Sequence, residues 1–491
     1  MKGEILIPPE VSQVTKTLEK GGFEAYLVGG CVRDLLMGRQ PKDWDITTNA
    51  TPEQIIGLYP KTVYENSFGT VAVIHETSAD ETVRVIEVTP YRIEGIYSDN
   101  RHPDSVQFSK SIDDDLKRRD FTINALALDS KGQITDPYKG QQDIKDKIIR
   151  TVGNPNDRFG EDALRMLRAI RFAVQLDFEI EAETQKAILG NSHLIKKISA
   201  ERIRDEFAKI IVSREPVGGI QLMEKLGLLK HILPELEEGI GVDQKGEHIY
   251  DVFNHMLHAL GHAAEKGLPL DIRLSALFHD IGKPRTRRWD GSKAGGKGKY
   301  TFYGHEVIGA RMVKKIMERL RFPKDISEKV EKLVRYHMFF SDTEQITLSA
   351  VRRTIVNVGR ENIWDLMEVR ECDRVGMKKK EAPYRLRKYH AMIEEALRAP
   401  TSVGMLKIDG AMLMELGIKP GPRMGWMLHA LLEECLEDDT KNTLEQLKAR
   451  ALELDTLSDK ELKEMGEKGK EKKEEKEEEE LAEIRKKHFV K

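Results

Sequence analysis

Two aspartates one residue apart open the chemical reading of this sequence, in Asp43-Trp44-Asp45-Ile46. Side chains alternate faces along a β-strand, so Asp43 and Asp45 would share one side while Trp44 and Ile46 point to the other. Neighbouring carboxylates repel unless a cation lies between them, and such oxygen donors suit Mg²⁺. The same spacing also occurs in ordinary surface turns, so the pair needs company. Glu87, in the alternating run Val83-Arg84-Val85-Ile86-Glu87, is either a third carboxylate on a neighbouring strand or a plain surface glutamate. Upstream, Gly29-Gly30 ends the strand-like Ala25-Tyr26-Leu27-Val28 and opens the helical Val32-Arg33-Asp34-Leu35-Leu36. A strand, glycine turn and helix in that order leave backbone N–H groups for a triphosphate, with Arg33 close by. A bare Gly-Gly turn is the alternative.

Further along, the stretch from Asp115 to Asn124 packs three cations ahead of a predicted helix. Its arginines, Arg119 among them, suit phosphate binding, with Asp120 and Asn124 to orient them, although a basic run is also the mark of a solvated face. Glu161 to Ile170 reads as one strongly periodic helix. Ala163, Met166, Ile170 and Ala173 form its apolar stripe, and Glu161, Arg165 and Arg168 recur on another face with Asp162 beside them. Taken alone, that face is an exposed helix with an ordinary Glu–Arg pair.

A third set lies in the second half. Of 14 histidines, His255, the dipeptide His279-Asp280, His305 and His337 fall on successive helical segments, followed by Asp373. Imidazole with carboxylate is the usual shell of a catalytic divalent metal. His258 and His262 follow His255 on one helix face and read as packed or solvent-facing. Lys283, just after the His-Asp pair, is a candidate for a substrate phosphate.

The elements that must position these groups divide the chain. Residues 1–150 are mixed α/β, with alternating stretches at Thr70–Ile74 and Thr82–Val88. From Glu161 helical periodicity dominates, with Pro155, Pro234, Pro269, Pro323 and Pro400 at expected helix boundaries. The expected domains are a head (1–150), a helical neck (151–240), a His–Asp domain (241–400) and a helical tail (401–457), then a charged Lys/Glu segment (458–491) that is helical or disordered. Met424, Met427, Leu428, Leu431 and Leu432 make an apolar face in the helical tail. Lys283 to Arg288 with Lys293, Lys297 and Lys299 is the best additional candidate for a phosphate-binding surface.

The length of 491 residues exceeds a single core, and 39% apolar with 33% charged residues describes a soluble, charge-rich protein. No apolar run is long enough to cross a bilayer, and MKGEILIPPE is no secretory leader. Three scattered cysteines point to a reducing cytoplasm. The net charge of −3 gives no bulk support for nucleic acid, so any such surface must come from local clustering.

Several long patterns, in order, resemble the class II tRNA nucleotidyltransferase and bacterial poly(A) polymerase family. They are LVGGCVRDLLMGRQPKDWDITTNATPEQI, SIDDDLKRRDFTINALALD, DPYKGQQDIKDKIIRTVGNPNDRFGEDALRMLRAIRFA and ISAERIRDEFAKI. The resemblance implies an α/β polymerase-β-like head followed by a mainly helical body, with two metals on Asp43 and Asp45 as a clamp for phosphoryl transfer. It implies tRNA as partner, with CTP and ATP as substrates. Asp162 and Arg165 match the residues that read the edges of cytosine or adenine, with Arg119 and Arg168 as contacts to triphosphate and base. Phe68-Gly69-Thr70-Val71 lacks the arginine segment of the poly(A) branch, which favours CCA addition; YRIEGIYSDNRHPDSVQF is full length, unlike that of CC-adding relatives. Pro90 stands where relatives usually have threonine. The ordered histidines resemble the HD phosphohydrolase superfamily, implying His255, His279, Asp280 and Asp373 at one divalent metal of unknown identity and His305 with His337 at a second. Poly(A) addition stays the alternative within the class, as does an HD phosphohydrolase whose head only binds RNA; so does an HD fold retained without activity.

Overall fold

Short β-branched runs broken by glycine and polar turns build a single mixed sheet in the N-terminal part of the molecule. The computed structural model describes residues 6–64, 69–94, 106–244, 249–290, 299–338, 346–375 and 383–466. The chain divides into two compact units, Met1–Pro234 and Glu235–Lys491.

The first unit begins with α1 (Pro9–Lys20), β1 (Ala25–Val28), α2 (Gly30–Leu36), β2 (Trp44–Thr48) and α3 (Pro52–Leu58). Next come β3 (Thr62–Tyr64), β4 (Val71–Ile74), β5 (Val85–Pro90), β6 (Arg92–Glu94) and β7 (Val106–Phe108). The head closes with α4 (Ile112–Lys117), β8 (Ala127–Leu128), β9 (Ile134–Thr135) and α5 (Gly140–Asp146). The main sheet has the order β3-β4-β5-β2-β1-β8-β9. Only β2 and β5 run parallel in it. Val11, Val14 and Leu18, at helical spacing on α1, bury against Leu27, Trp44, Ile46, Ile86 and Val88. That packing turns the other face of β2 toward the site.

The neck follows with β10 (Ile148–Ile149), α6 (Pro155–Glu161), α7 (Leu164–Leu176), β11 (Glu179–Ile180) and α8 (Ala182–Asn191). It ends with α9 (Ala200–Ile211), α10 (Pro216–Lys225) and α11 (Leu229–Ile232). Three sequence expectations change here. The helix expected from Glu161 to Ile170 is two helices: Asp162 is extended (φ −138°, ψ 104°), and its carboxylate accepts from Leu164 N at 3.0 Å. A short acidic side chain satisfying the next helix's first N–H groups favours a restart over continuation. The strand expected from Thr82 begins at Val85, because Asp80 caps a turn at Glu81–Val83. The cationic run closes α4, which Ser111 caps upstream: Lys117 ends that helix, Arg118 and Arg119 follow it, and the helix they precede is only the short turn Thr122–Asn124.

After α12 (Pro234–Glu237) at the junction, the second unit runs α13 (Val252–Glu265), α14 (Leu270–Phe278) and α15 (Lys283–Thr286). The hairpin β12 (Arg288–Asp290) and β13 (Lys299–Thr301) leads into α16 (His305–Arg319) and α17 (Lys324–Tyr336). Then come α18 (Leu348–Val358), α19 (Ile363–Arg374), α20 (Pro383–Ala396), α21 (Gly410–Glu415), α22 (Pro422–Glu437) and α23 (Leu444–Asp455). Prolines stand at or beside helix ends as expected: Pro155 and Pro234 start helices, and Pro269 and Pro323 precede them. Met427, Leu431 and Leu432 are buried and Met424 and Leu428 partly so, as the apolar spacing predicts. The charged segment starts later than Ser458, however, because Leu462 and Met465 pack on that same core. Residues 95–105, 291–298 and 467–491 lie outside the described residues. Among the described residues no helix is long and apolar enough to cross a membrane.

Candidate metal and nucleotide sites

In the head, Asp45 lies in β2 with Trp44 and Ile46 buried behind it. Asp43 sits in the bend just before the strand, exposed, one residue short of where the alternation argument put it. β5 lies parallel to β2 with Glu87 in register opposite Asp45, so the exposed Glu87 is the adjacent acid across the sheet. Burial raises the Asp45 carboxyl above the ordinary range, Asp43 adds to the rise, and Arg119 opposes it. A cation here would relieve that unfavourable charge. Among the described residues the three head acids are not drawn into one tight metal-sized group.

Gly29 turns the chain between β1 and α2 with φ +76°, and a Cβ there would lie 2.9 Å from Arg119 Nη1 and 3.7 Å from Asp45 Oδ2. Only glycine allows this approach. The N–H of Gly29 is not left for a triphosphate, since it donates to the Leu126 carbonyl; the turn's contribution is closeness. Arg119 donates to Asp115 Oδ2 at 3.0 Å and Arg118 to Asp115 Oδ1, so one buried acid on α4 holds both. Arg33 donates to Asn124 Oδ1 at 2.8 Å, and Asn124 donates to Asp120 Oδ1 at 3.2 Å. The other Asp120 oxygen accepts from Arg168 Nε at 2.8 Å. Burial alone would raise the Asp120 carboxyl, but Arg168 and Asn124 bring it down to about 2. Glu206 on α9 braces Arg171, and Arg33, Arg168 and Arg171 converge on the ring of Phe172 at 5.4, 5.3 and 4.3 Å.

The pair matched to base reading is split. Asp162 accepts from Arg202 Nη2 at 2.7 Å, whereas Arg165 turns away to Glu161 Oε2 at 2.6 Å and to the carbonyls of Arg118 and Arg158. Asp115, Arg202 and Glu206 were missed as positioning residues. For Asp115 a signal was present, since Arg118 and Arg119 follow at the i+3 and i+4 spacing of helical ion pairs; Arg202 and Glu206 lie on a separate helix and carried none.

In the second unit, α13 carries His255, the end of α14 carries His279-Asp280, α16 begins with His305, His337 follows α17, and α19 carries Asp373. All six are buried. Two groups have their ligand atoms within 4.8 Å of one another: His255, His279, Asp280 and Asp373, and Asp280, His305 and His337. Asp280 belongs to both, with Oδ2 3.2 Å from His279 Nε2 and Oδ1 3.2 Å from His305 Nε2. The Nδ1 atoms of His279, His305 and His337 lie 2.8, 2.7 and 2.7 Å from the carbonyls of Ala276, Phe302 and Val334. Protonated there, each ring offers its Nε2 lone pair to the centre. Burial would lower His279, but Asp280 and Asp373 raise it to about 10, so the cluster attracts positive charge. These donors fit a divalent metal.

Lys283 is buried and donates to Asp280 Oδ2 and Gln244 Oε1, both at 2.6 Å, so it is built into the cluster rather than into a surface. Within the basic segment Lys283 to Arg288, Arg285 pairs with Glu238 and Arg287 covers Tyr300, while Lys293 and Lys297 lie outside the described residues. His258 is exposed and stacks on Tyr250, and His262 is half-buried.

Residues 25–150 match the poly(A) polymerase head domain, 177–240 the probable RNA- and SrmB-binding site of polymerase A, and 252–375 the HD domain. Fold and site thus define a nucleotidyltransferase-type head on a chain that also carries an HD domain. A CCA-adding enzyme of Lactobacillus delbrueckii subsp. bulgaricus is 32% identical over 440 residues, 88% of this chain and 94% of that one. The chain belongs to the CCA-adding enzyme family. The crystal structure of the Bacillus stearothermophilus CCA-adding enzyme in complex with CTP superposes with TM-score 0.67 and 27% identity, covering 92% of this chain and 98% of that one. The CCA-adding enzyme of Geobacillus thermodenitrificans is 46% identical over 226 residues, 46% of this chain. The matched stretch spans about half the length of the curated relatives from Geobacillus thermodenitrificans and Ligilactobacillus salivarius, 54% and 53%.

Proposed function

We propose that the protein adds CCA to tRNA 3′ ends from CTP and ATP in the cytoplasm, without a nucleic-acid template. The observation that carries this reading is the β2–β5 register, which sets Glu87 opposite Asp45 beside a glycine turn and a bank of arginines. Asp43 and Asp45 would hold Mg²⁺, with Glu87 beside them; the ions supply charge stabilisation at the transferring phosphate. The chain does the alignment. Asp115 fixes Arg119 against Gly29, so that a triphosphate arriving at this turn meets a guanidinium already in place. Asp120, with Asn124, sets the directions of Arg168 and Arg33. Base choice falls to Asp162 and Arg165, where a planar donor fork beside an acceptor complements cytosine and adenine. Uracil or guanine would leave buried polar groups unpaired. To present both groups to one base, Arg165 must leave Glu161 or Asp162 must leave Arg202.

The arrangement of six buried donor residues favours a second activity: phosphoester hydrolysis at the HD cluster on phosphorylated or 2′,3′-cyclic RNA ends. Water's oxygen bonds to phosphorus, the P–O bond to ribose breaks, and the ribose oxygen takes up the proton. His255, His279, Asp280 and Asp373 would hold one divalent ion and Asp280, His305 and His337 another; a bound ion supplies Lewis acidity.

The test incubates the full chain with tRNA lacking CCA, Mg²⁺, and CTP and ATP singly and together. Ordered addition that stops at three nucleotides is expected. Long A tails would identify poly(A) addition instead, and extension by Asp43→Ala would refute the head assignment.

A further inference from the structure

The arginines of the head gather around one aromatic ring. Phe172 lies one helical step after Arg168 on α7, so it continues the face that carries Glu161, Arg165 and Arg168. At 3.6 residues per turn it points about 200° away from Ile170 in the apolar stripe. It is nevertheless only 6% exposed. Three guanidinium groups surround it: Arg171 at 4.3 Å, Arg168 at 5.3 Å and Arg33 of α2 at 5.4 Å from the ring centroid. Phe121 meets the ring edge-on at 5.7 Å. Bringing three like charges together is unfavourable in itself. Burial and the charges of Arg168 and Arg33 pull Arg171 down to about 10, with Glu206 and Asp120 opposing them. The negative face of an aromatic ring is a surface that several cations can share.

Each cation is also held at its edge by an acid. Arg33 donates Nε to Asp34 Oδ1 at 2.9 Å, and Arg171 Nε lies 3.1 Å from Glu206 Oε2. Arg168 Nε and Nη2 both reach the same Asp120 oxygen, at 2.8 and 2.7 Å, so the guanidinium can tilt about that single atom. Its Nη1 has only the Glu206 carboxylate, 3.9 Å away, among the described residues. In-plane bonds to a carboxylate fix where a guanidinium sits, whereas a ring beneath its face restrains the tilt. The cluster also reaches the head site. A Cβ on Gly30 would lie 3.6 Å from Arg33 Nη2, which puts that guanidinium at the turn where Gly29 meets Arg119 and Asp45.

We infer that Phe172 is a positioning residue for nucleotide addition: its ring sets the tilt at which Arg33 and Arg168 meet the incoming triphosphate, a role that rests on the CCA-addition reading above.

The full-length protein is prepared with Phe172 replaced by mono-, di- and trifluorophenylalanine, and addition of the first CMP to tRNA lacking CCA is followed with Mg²⁺ and CTP. Fluorination drains negative charge from the ring face and changes its shape little, so a ring that is merely packed would leave the kinetics flat. KM for CTP should rise stepwise along the series, to about tenfold in the trifluoro protein, the size of one desolvated cation–π contact. KM for tRNA and kcat should stay near wild type, and Phe172→Leu should match the trifluoro protein. A KM for CTP that does not follow the fluorine series overturns the proposal, whatever Phe172→Leu does. Binding has its own readout: the calorimetric Kd for CTP, measured without tRNA, should climb in the same order. A graded Kd in proteins that add no nucleotide upholds the positioning role and rejects only the addition reading. An ungraded Kd overturns the role.

Discussion

The head and the HD cluster both gather carboxylates for cations, yet they are prepared differently. In the HD cluster every donor is buried, three rings are oriented by backbone carbonyls, and one aspartate serves both groups. In the head, Asp43 and Glu87 face outward, only Asp45 is substantially enclosed, and the preorganised part is the arginine network. A site whose substrates carry triphosphates brings its own acceptor oxygens, so half of the coordination arrives with the ligand. Under the proposed phosphohydrolase reading, the HD cluster must hold its ions by itself.

That contrast can be broken in order of expected effect. Asp45→Ala should lower nucleotide addition by at least about a thousandfold, the several kcal/mol expected of metal charge stabilisation, while phosphoester hydrolysis persists. Extension gels beside a chromogenic ester assay would show it, and a parallel loss of both activities would refute separate sites. In the HD cluster, Asp280→Asn should remove metal from both groups, whereas Asp373→Asn should remove it from one. Metal analysis of the purified variants distinguishes them, and equal stoichiometries would contradict the shared aspartate.

Arg168→Met tests the head's preorganisation through stability. It strands the buried Asp120 charge, a cost of about 3–5 kcal/mol by analogy with other broken buried pairs. Asp120 is held at about 2 in the folded protein, against about 3.9 unfolded. A depressed carboxylate stabilises above its unfolded value and loses that contribution as pH falls through the folded one. The melting difference between variant and wild type should therefore be full near neutrality and shrink as pH falls from about 4 to about 2. A difference independent of pH would reject the ion-pair account.

Gly29→Ala should cost about 1–3 kcal/mol of backbone strain and raise KM for nucleotide more than it lowers kcat, because the added methyl meets the Arg119 guanidinium. The smallest change is expected from Arg202→Ala, which frees Asp162. Competition among the four nucleotides should show discrimination altered by a few fold, and Arg165→Ala should alter it more. Unaltered choice in both would remove the base-reading role.

The sequence by itself determined the donor types and their chain order: an aspartate pair ahead of Glu87, the arginines around Asp120, and the histidine series closing on Asp373. Residue type and strand or helix periodicity are local properties, so Trp44 and Ile46 could be set behind Asp45, and the apolar face of α22 found, without coordinates. Where the polar groups point was decided by the tertiary structure. The break at Asp162, the turning of Arg165 toward Glu161 and the capture of Lys283 by Asp280 and Gln244 each depend on a partner distant in the chain or on competition among hydrogen bonds. Local pattern records which groups can pair; only packing, by excluding water from some of them, selects the pairs that form.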